Sequence, residues 1–259
     1  MRILLSDPYL ILYGILLKGR YDVARLLKFI GLVSIFVFMV SCCAKVVPKI
    51  KVERDVPIHP QSVLFIGGIN GLTGEQMSGT GIIVESNEEE SWALSAGHVC
   101  YPEHHDHLVM WTDMWMHMGF DSTGQYEPIF MIALDQVNDV CVFRIPIGNL
   151  PAVPLAKEMP PIGSKVFLGA YPLGVYNPGH VPFFEGYYAG VLEGRASYTI
   201  PVTGGASGGG VVNSKGELLG VVSMAIEGFE NITLVSKLEN VQTMLDVAKK
   251  NPERLTIVR

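Results

Sequence analysis

Short hydrophobic runs, separated by turn residues, follow one another along most of the chain. Apolar, β-branched and aromatic residues dominate these runs, and Gly, Pro, Asn, Asp and Ser are frequent between them, which is typical of strands. Six runs precede residue 146, namely SVLFIGGI, GTGIIVES, SWALSA, HLVMW, YEPIFMIA and DVCVFRI. Six more follow residue 163, namely SKVFLGA, GYYAGVLE, SYTIPV, GGVVN, ELLGVVS and NITLV. The pattern predicts an all-β protein.

A proline-rich segment divides the two sets of predicted strands. Residues 146–163, PIGNLPAVPLAKEMPPIG, contain five prolines and are typical of a connection that runs over the surface. Two sets of six strands joined in this way predict two six-stranded antiparallel β-barrels packed face to face. We expect the first barrel within residues 45–150, and the second barrel, together with the end of the chain, within residues 151–259.

The hydrophobic period changes after the last predicted strand. In SKLENVQTMLDVAKKN the apolar residues at helical intervals are Leu238, Val241, Leu245 and Ala248. Ser236 stands three residues before Glu239, which is the spacing of a capping box at a helix amino terminus. The sequence therefore predicts a C-terminal helix.

The amino-terminal region has the features of a targeting segment. Residues 29–44 carry no charge and follow Arg25 and Lys28, as the apolar core of a secretory signal follows its positive flank. The four residues MVSC, ending at Cys42, resemble the lipobox of bacterial lipoproteins, which makes Cys42 the candidate for lipidation. We expect residues 1–44 to be a signal or membrane-anchor segment. The protein is then exported, and is either secreted or held at a membrane as a lipoprotein or by a single helix.

The charge of the chain bears on its partners. The formal net charge is −6, with 19 basic and 25 acidic residues. Domains that bind nucleic acid usually present a basic patch to the phosphates. Because the composition offers no such excess of positive charge, we expect no nucleic-acid partner.

A glycine-rich stretch, TGGASGGGVV at residues 203–212, places one serine, Ser207, among small residues. Strand-like sequence on both sides argues against a flexible linker, and glycine lets a tight turn adopt positive φ and approach a ligand closely. Two backbone N–H groups in such a turn, those of Gly205 and Ser207, can point at one spot and stabilise an oxyanion. The stretch therefore predicts a nucleophilic serine.

A serine nucleophile needs a base and a group that orients the base. All seven histidines precede Ser207, which excludes the Ser–Asp–His order of α/β-hydrolases. His98 follows the apolar run SWALSA, and Asp139 opens the apolar run DVCVFRI, so each is mounted at a strand end. Asp135 is an alternative to Asp139. The candidate order is His98, Asp139, Ser207.

Three motifs together resemble those of chymotrypsin-like serine peptidases, in the order of that family. SAGHVC is similar to the family's histidine motif, DVCVFRI to its aspartate strand, and GGASGGGVVNSKGELLGVVS to its serine loop and following hairpin. The similarity is closest to compact bacterial peptidases of the high-temperature-requirement type and to viral trypsin-like peptidases. It implies a catalytic triad of His98, Asp139 and Ser207 between two barrels, an oxyanion hole at Gly205 and Ser207, and no cofactor.

The resemblance also implies where a substrate side chain binds. The family's specificity pocket matches a segment about six residues before the nucleophile and the strand after it, here Ile200, Pro201, Val202, Val222, Ser223, Met224 and Ala225. None of these residues is acidic, so we expect basic side chains to be rejected and small to medium aliphatic ones to be preferred. The expected substrate is a protein or peptide. The alternative is a catalytically inactive trypsin-fold binding or virion-associated protein.

Two further sets of residues carry chemistry in principle. Cys100 and Cys141 follow His98 and Asp139 by two residues each, and we expect two buried free thiols. The tract YPEHHDH contains three closely spaced histidines that could bind zinc, at 104, 105 and 107. Their spacing matches no zinc-finger pattern, and we expect no metal site.

Overall fold

The computed structural model describes residues 56–71, 74–101, 115–226, 228–252 and 255–258. The chain divides into two compact units, Met1–Val46 and Val47–Arg259, and all described residues belong to the second unit. The expected targeting segment with Cys42, the expected strand HLVMW and the histidine tract lie outside the described residues. Within the described ranges, no helix is both long enough and apolar enough to cross a bilayer.

The first set of strands closes into a six-stranded antiparallel barrel. Its strands are β1 (Val63–Asn70), β2 (Gln76–Ser86), β3 (Ser91–Ser95), β4 (Trp115–Phe120), β5 (Tyr126–Asp135) and β6 (Val140–Ile145). Their order is β5-β4-β1-β2-β3-β6, and pairing between β5 and β6 closes the barrel. A four-residue helix, α1 (Gly97–Cys100), follows β3.

The second set of strands closes into another six-stranded antiparallel barrel. Its strands are β7 (Lys165–Gly169), β8 (Phe183–Leu192), β9 (Arg195–Tyr198), β10 (Gly210–Asn213), β11 (Leu218–Ile226) and β12 (Phe229–Val235). Their order is β10-β11-β12-β9-β8-β7, closed by pairing of β10 with β7. Two such barrels and a C-terminal helix confirm the predicted fold class, although β4 (Trp115–Phe120) was not among the predicted runs. The predicted boundary between the two barrels, at residue 150, stays a prediction.

Alternation of side chains along the strands explains how the barrels pack. In β3 all five residues are buried, because successive side chains point to opposite faces of the sheet. Ala93 belongs to the core of the first barrel, whereas Trp92 and Leu94 belong to a separate core cluster. That cluster also contains Phe167 and Leu218 of the second barrel and four residues of the C-terminal helix. This shared apolar layer packs the two barrels against each other.

The C-terminal helix, α2 (Leu238–Lys250), buries its apolar face against strands of both barrels. The predicted capping box is wrong. Lys237 stands at the helix amino terminus with no side-chain cap. The Ser236 hydroxyl accepts a hydrogen bond from the Val221 N–H instead, at 3.1 Å. Because the Ser236 hydroxyl is hydrogen-bonded to β11, it does not cap the helix.

Two features of the connections were not predicted. A short strand, β13 (Thr256–Val258), pairs in parallel with β5, so the end of the chain returns to the first barrel. The proline-rich connection has no strand of its own, but it is partly buried. Val153 donates its N–H to Ile83 O and Ala156 donates to Leu218 O, both at 2.9 Å, which fixes the connection to each barrel.

Candidate active site

His98 and Asp139 form a close pair at the ends of β3 and β6. Asp139 Oδ1 accepts a hydrogen bond from the His98 backbone N–H at 2.9 Å. His98 Nδ1 lies 3.0 Å from both Asp139 Oδ1 and Asp139 Oδ2. The histidine side chain is 40% exposed and the aspartate side chain 14% exposed. The imidazole therefore has one edge on the carboxylate and the other available to solvent.

The turn before β6 has a conformation that aims Asp139 at His98. Asp139 has φ +55°, a left-handed conformation that side-chain-bearing residues adopt at a cost. The Asp135 carboxylate accepts hydrogen bonds from the Asn138 N–H at 2.9 Å and from Asn138 Nδ2 at 2.7 Å. From α2, Asn240 Nδ2 donates to Asn138 Oδ1 at 2.8 Å. The alternative acid, Asp135, thus shapes the turn, and the structure places Asp139 at the imidazole.

The pKa of Asp139 is lowered although the carboxylate is largely buried. Burial acts to raise this pKa, but the hydrogen bond and charge of His98 and the Ser223 hydroxyl together outweigh it. An ionised carboxylate only accepts hydrogen bonds, so His98 Nδ1 carries the proton in this pair. The lone pair of neutral His98 is then on Nε2, where it can take a proton from a nucleophile.

Ser223 has a role that the sequence did not indicate. The sequence places it among the residues of the specificity pocket. In the structure its side chain is buried, and its hydroxyl donates a hydrogen bond to Asp139 Oδ2. The two residues are 84 positions apart in the chain, on different barrels. Since no local pattern joins them, only the packing of the barrels reveals this contact.

The turn that carries Ser207 is tied to the first barrel by Thr80. The Thr80 N–H donates to Ser207 O and the Thr80 hydroxyl donates to Gly205 O, both at 2.8 Å. A Cβ on Gly208, which has φ +84°, would lie 2.1 Å from Ser95 Oγ, three residues before His98. Among the described residues, no hydrogen bond joins the Ser207 hydroxyl to His98. The structure therefore brings the serine turn to the strand end that carries the histidine, without a formed serine–histidine hydrogen bond.

A loop of the second barrel orients the peptide group between Gly204 and Gly205. The Leu173 N–H donates to Gly204 O at 2.5 Å, and in a trans peptide the N–H of the next residue points the opposite way. Gly205 has φ +87°, and a Cβ there would lie 2.7 Å from Gly174 N. Among the described residues, neither the Gly205 N–H nor the Ser207 N–H donates to a protein acceptor. Both predicted oxyanion donors are thus available to a ligand.

The residues predicted to form the specificity pocket differ in their burial. Ile200, Val202 and Val222 belong to the core of the second barrel, whereas Pro201 and Met224 are exposed and Ala225 is half-buried. Thr233, which was not predicted as a pocket residue, connects the two predicted segments. It pairs with Ala225, and its hydroxyl donates a hydrogen bond to Ile200 O at 2.5 Å. These residues carry no ionisable side chain.

The expectation of two free thiols is wrong. Cys100 of α1 and Cys141 of β6 form a disulfide, with their Cα atoms 6.5 Å apart. Antiparallel pairing of β3 with β6 places Cys141 opposite Ser95, which brings the two cysteines together. Both are completely buried. The disulfide therefore connects the segment that carries His98 to the segment that carries Asp139.

The metal prediction is not tested by this geometry. Within the described residues, no three His, Cys, Asp or Glu side chains converge as metal ligands would. The histidines of the tract, His104, His105 and His107, lie outside those residues. The expectation of no metal site stays a prediction.

The sequence matches the family described as the trypsin-like peptidase domain over residues 79–221, which is more than half of the chain. This chain belongs to the trypsin-like peptidase family. The matched region contains His98, Asp139 and Ser207. No curated protein sequence is significantly similar to the chain.

Two of the solved structures that share this fold are proteases. A serine endoprotease from Yersinia pestis aligns with a TM-score of 0.60 and 18% identity, over 74% of this chain and 64% of its own. The Rv3671c protease of M. tuberculosis, in its active form, aligns with a TM-score of 0.58 and 19% identity, over 72% of this chain and 80% of its own. The peptidase thus spans slightly less than two thirds of the Yersinia chain. At this identity the likeness concerns the fold.

Proposed function

We propose that this peptidase cleaves peptide bonds through an acyl-enzyme on Ser207, with His98 as the general base and Asp139 as the residue that orients the base. The observation that carries the proposal is the His98–Asp139 pair, in which Nδ1 lies 3.0 Å from both carboxylate oxygens. That contact leaves Nε2 as the basic nitrogen. A histidine held in this way beside a glycine-rich serine turn is the arrangement of a serine nucleophile with its base.

The steps follow from these positions. His98 Nε2 takes the proton of the Ser207 hydroxyl as Oγ bonds to the carbonyl carbon of the substrate. The Gly205 and Ser207 N–H groups stabilise the resulting oxyanion. The imidazolium then gives its proton to the leaving amine, the C–N bond breaks, and the acyl-enzyme forms. A water molecule repeats the sequence and releases the acid. Asp139 stays ionised and stabilises the imidazolium.

The missing serine–histidine hydrogen bond is compatible with this mechanism. Nucleophile–base hydrogen bonds in substrate-free enzymes are often long, and they shorten when substrate positions the groups. Thr80 and Leu173 already hold the turn on either side of the oxyanion donors. The proposal then asks that substrate bring the Ser207 hydroxyl within hydrogen-bond distance of His98 Nε2.

The substrate proposal is a peptide with a small to medium aliphatic residue before the cut. The predicted pocket segments contain only apolar and uncharged side chains, with Thr233 bound to the Ile200 carbonyl between them. An arginine or lysine side chain placed there would lose hydration without gaining a carboxylate partner. Each methylene of difference between aliphatic side chains changes the transition-state energy by about 1–3 kcal/mol, so the preference is broad.

The location and partners of the protein form a separate part of the proposal. The uncharged residues 29–44, preceded by Arg25 and Lys28, support export, and MVSC supports lipidation at Cys42. The protein is then membrane-anchored or secreted and acts on proteins or peptides outside the cytoplasm. The net charge of −6 supports the absence of a nucleic-acid partner.

Cleavage of a denatured proteome tests the activity and the pocket together. Wild-type protein should cut after aliphatic residues, and Ser207→Ala and His98→Ala should produce no cuts above background. A majority of cuts after Arg or Lys would contradict the pocket proposal while leaving the mechanism intact. Folded wild-type protein that produces no cuts would favour the inactive trypsin-fold binding protein.

A further inference from the structure

Arg195, the first residue of β9, reaches from the second barrel to the turn that carries Asp139. Its Nη1 lies 2.9 Å from Ser223 Oγ and 3.4 Å from Asn138 O. The Arg195 side chain is half-buried, and Ser223 is only 3% exposed. A charged donor thus stands directly behind the hydroxyl that contacts the catalytic carboxylate.

The hydrogen-bond types fix the direction of this chain of contacts. A guanidinium has five N–H donors and no acceptor, so Ser223 Oγ must accept from Arg195. The single hydroxyl proton of Ser223 is then free to point at Asp139 Oδ2, and an ionised carboxylate only accepts. Without Arg195, the Ser223 hydroxyl could rotate and point its proton away from Asp139 Oδ2. The chain therefore runs from Arg195 through Ser223 and Asp139 to His98.

We infer that Arg195 is a positioning residue for the proposed reaction, which orients Ser223 and, through it, the Asp139–His98 pair. The inference rests on the proposed roles of Ser207, His98 and Asp139. Arg195 touches neither the imidazole nor a substrate group, and it acts through the buried hydroxyl. Its second contact, to the Asn138 carbonyl, holds the left-handed turn in which Asp139 lies.

The test is the NMR signal of the proton on His98 Nδ1, measured in a Ser207→Ala background where no turnover occurs. Arg195→Met should shift this signal, because it releases the Ser223 hydroxyl and so changes the hydrogen bonds that Asp139 accepts. Arg195→Lys, which keeps a charged N–H donor, should restore the signal in part. Arg195→Gln, whose shorter side chain keeps an N–H donor, should show a smaller shift and serves if Arg195→Met does not fold. Arg144→Met removes a different arginine, from β6, and should leave the signal unchanged.

Kinetics of the same substitutions with Ser207 intact give the second readout. Arg195→Met should lower kcat by about tenfold with little change in KM, because it alters the base and not substrate binding.

An unchanged His98 Nδ1 proton signal in folded Arg195→Met, or the same shift in Arg144→Met, would overturn the inference. The two proposals fail separately. If wild-type protein hydrolysed no peptide while the His98 Nδ1 proton signal still responded to Arg195→Met, the proposed function would fail and the positioning role would stand.

Discussion

Reduction of the Cys100–Cys141 disulfide should lower the free energy of unfolding by about 4 kcal/mol. The bridge closes a loop between residues 41 positions apart. For a loop of this length, the entropy that a cross-link removes from the unfolded chain corresponds to about 4 kcal/mol at 25 °C. Since small domains are stable by only about 5–15 kcal/mol, the loss is a large fraction of the total.

The assay is equilibrium unfolding in urea, followed by tryptophan fluorescence. Both cysteines are completely buried, so the protein is reduced in denaturant and refolded in reductant, and is compared with oxidised protein. A background with Cys42→Ser and Cys43→Ser confines the effect to the internal pair. With a slope of about 2 kcal/mol per molar urea, the midpoint should fall by about 2 M.

A double variant, Cys100→Ala with Cys141→Ala, is the matched control and should respond to neither oxidant nor reductant. Because the disulfide joins the segments of His98 and Asp139, the reduced protein should also lose peptidase activity before it unfolds globally. If titration confirmed two free thiols and the urea midpoint did not move, both the loop-closure argument and the assigned pairing would be refuted.

Three further predictions follow from the site and from one buried histidine. Asp139→Asn should lower kcat by about 10⁴-fold in peptide hydrolysis, because the amide no longer holds the imidazole in the required tautomer; activity within tenfold of wild type would contradict the triad. Gly205→Ala should lower kcat/KM by about 10²–10³-fold, because its Cβ would lie 2.7 Å from Gly174 N and displace an oxyanion donor; an unchanged kcat/KM would remove Gly205 from the oxyanion hole. His117 is 6% exposed, and burial lowers its pKa from 6.5 to about 4. Below pH 6.5 the unfolded chain therefore binds a proton on His117, whereas the folded protein accepts that proton only near pH 4. The free energy of unfolding should fall by about 3 kcal/mol from pH 7 to pH 4. In urea titrations, His117→Phe should reduce this dependence on pH.

Local patterns were sufficient to predict most of the described strands, though not β4 (Trp115–Phe120), and to select the three candidate site residues. SWALSAGHVC and DVCVFRI place His98 and Asp139 at strand ends, where the sequence itself shows the change from apolar run to turn. The glycines around Ser207 indicate a turn with positive φ, which Gly205 and Gly208 adopt. These signals are encoded within about ten residues, so they can be interpreted without knowledge of the tertiary fold.

The features that the sequence did not predict depend on contacts between distant segments. Ser223 reaches Asp139 across the interface of the two barrels, and no periodicity records that contact. The disulfide requires the register of β3 against β6. Ser236 has the spacing of a cap, but its hydroxyl bonds with Val221 of the neighbouring strand. Strand β13 has only three residues, too few for an alternation to be recognised.

The most direct test of the central claim is labelling with a fluorophosphonate, which reacts with a serine only where a base and an oxyanion hole activate it. Intact-mass analysis of folded wild-type protein should show one probe per chain, and peptide mapping should place it on Ser207. Ser207→Ala should show none, and His98→Ala should label far more slowly at the same probe concentration. A folded, monodisperse wild-type protein that takes up no probe, or takes it up at another serine, would contradict the account.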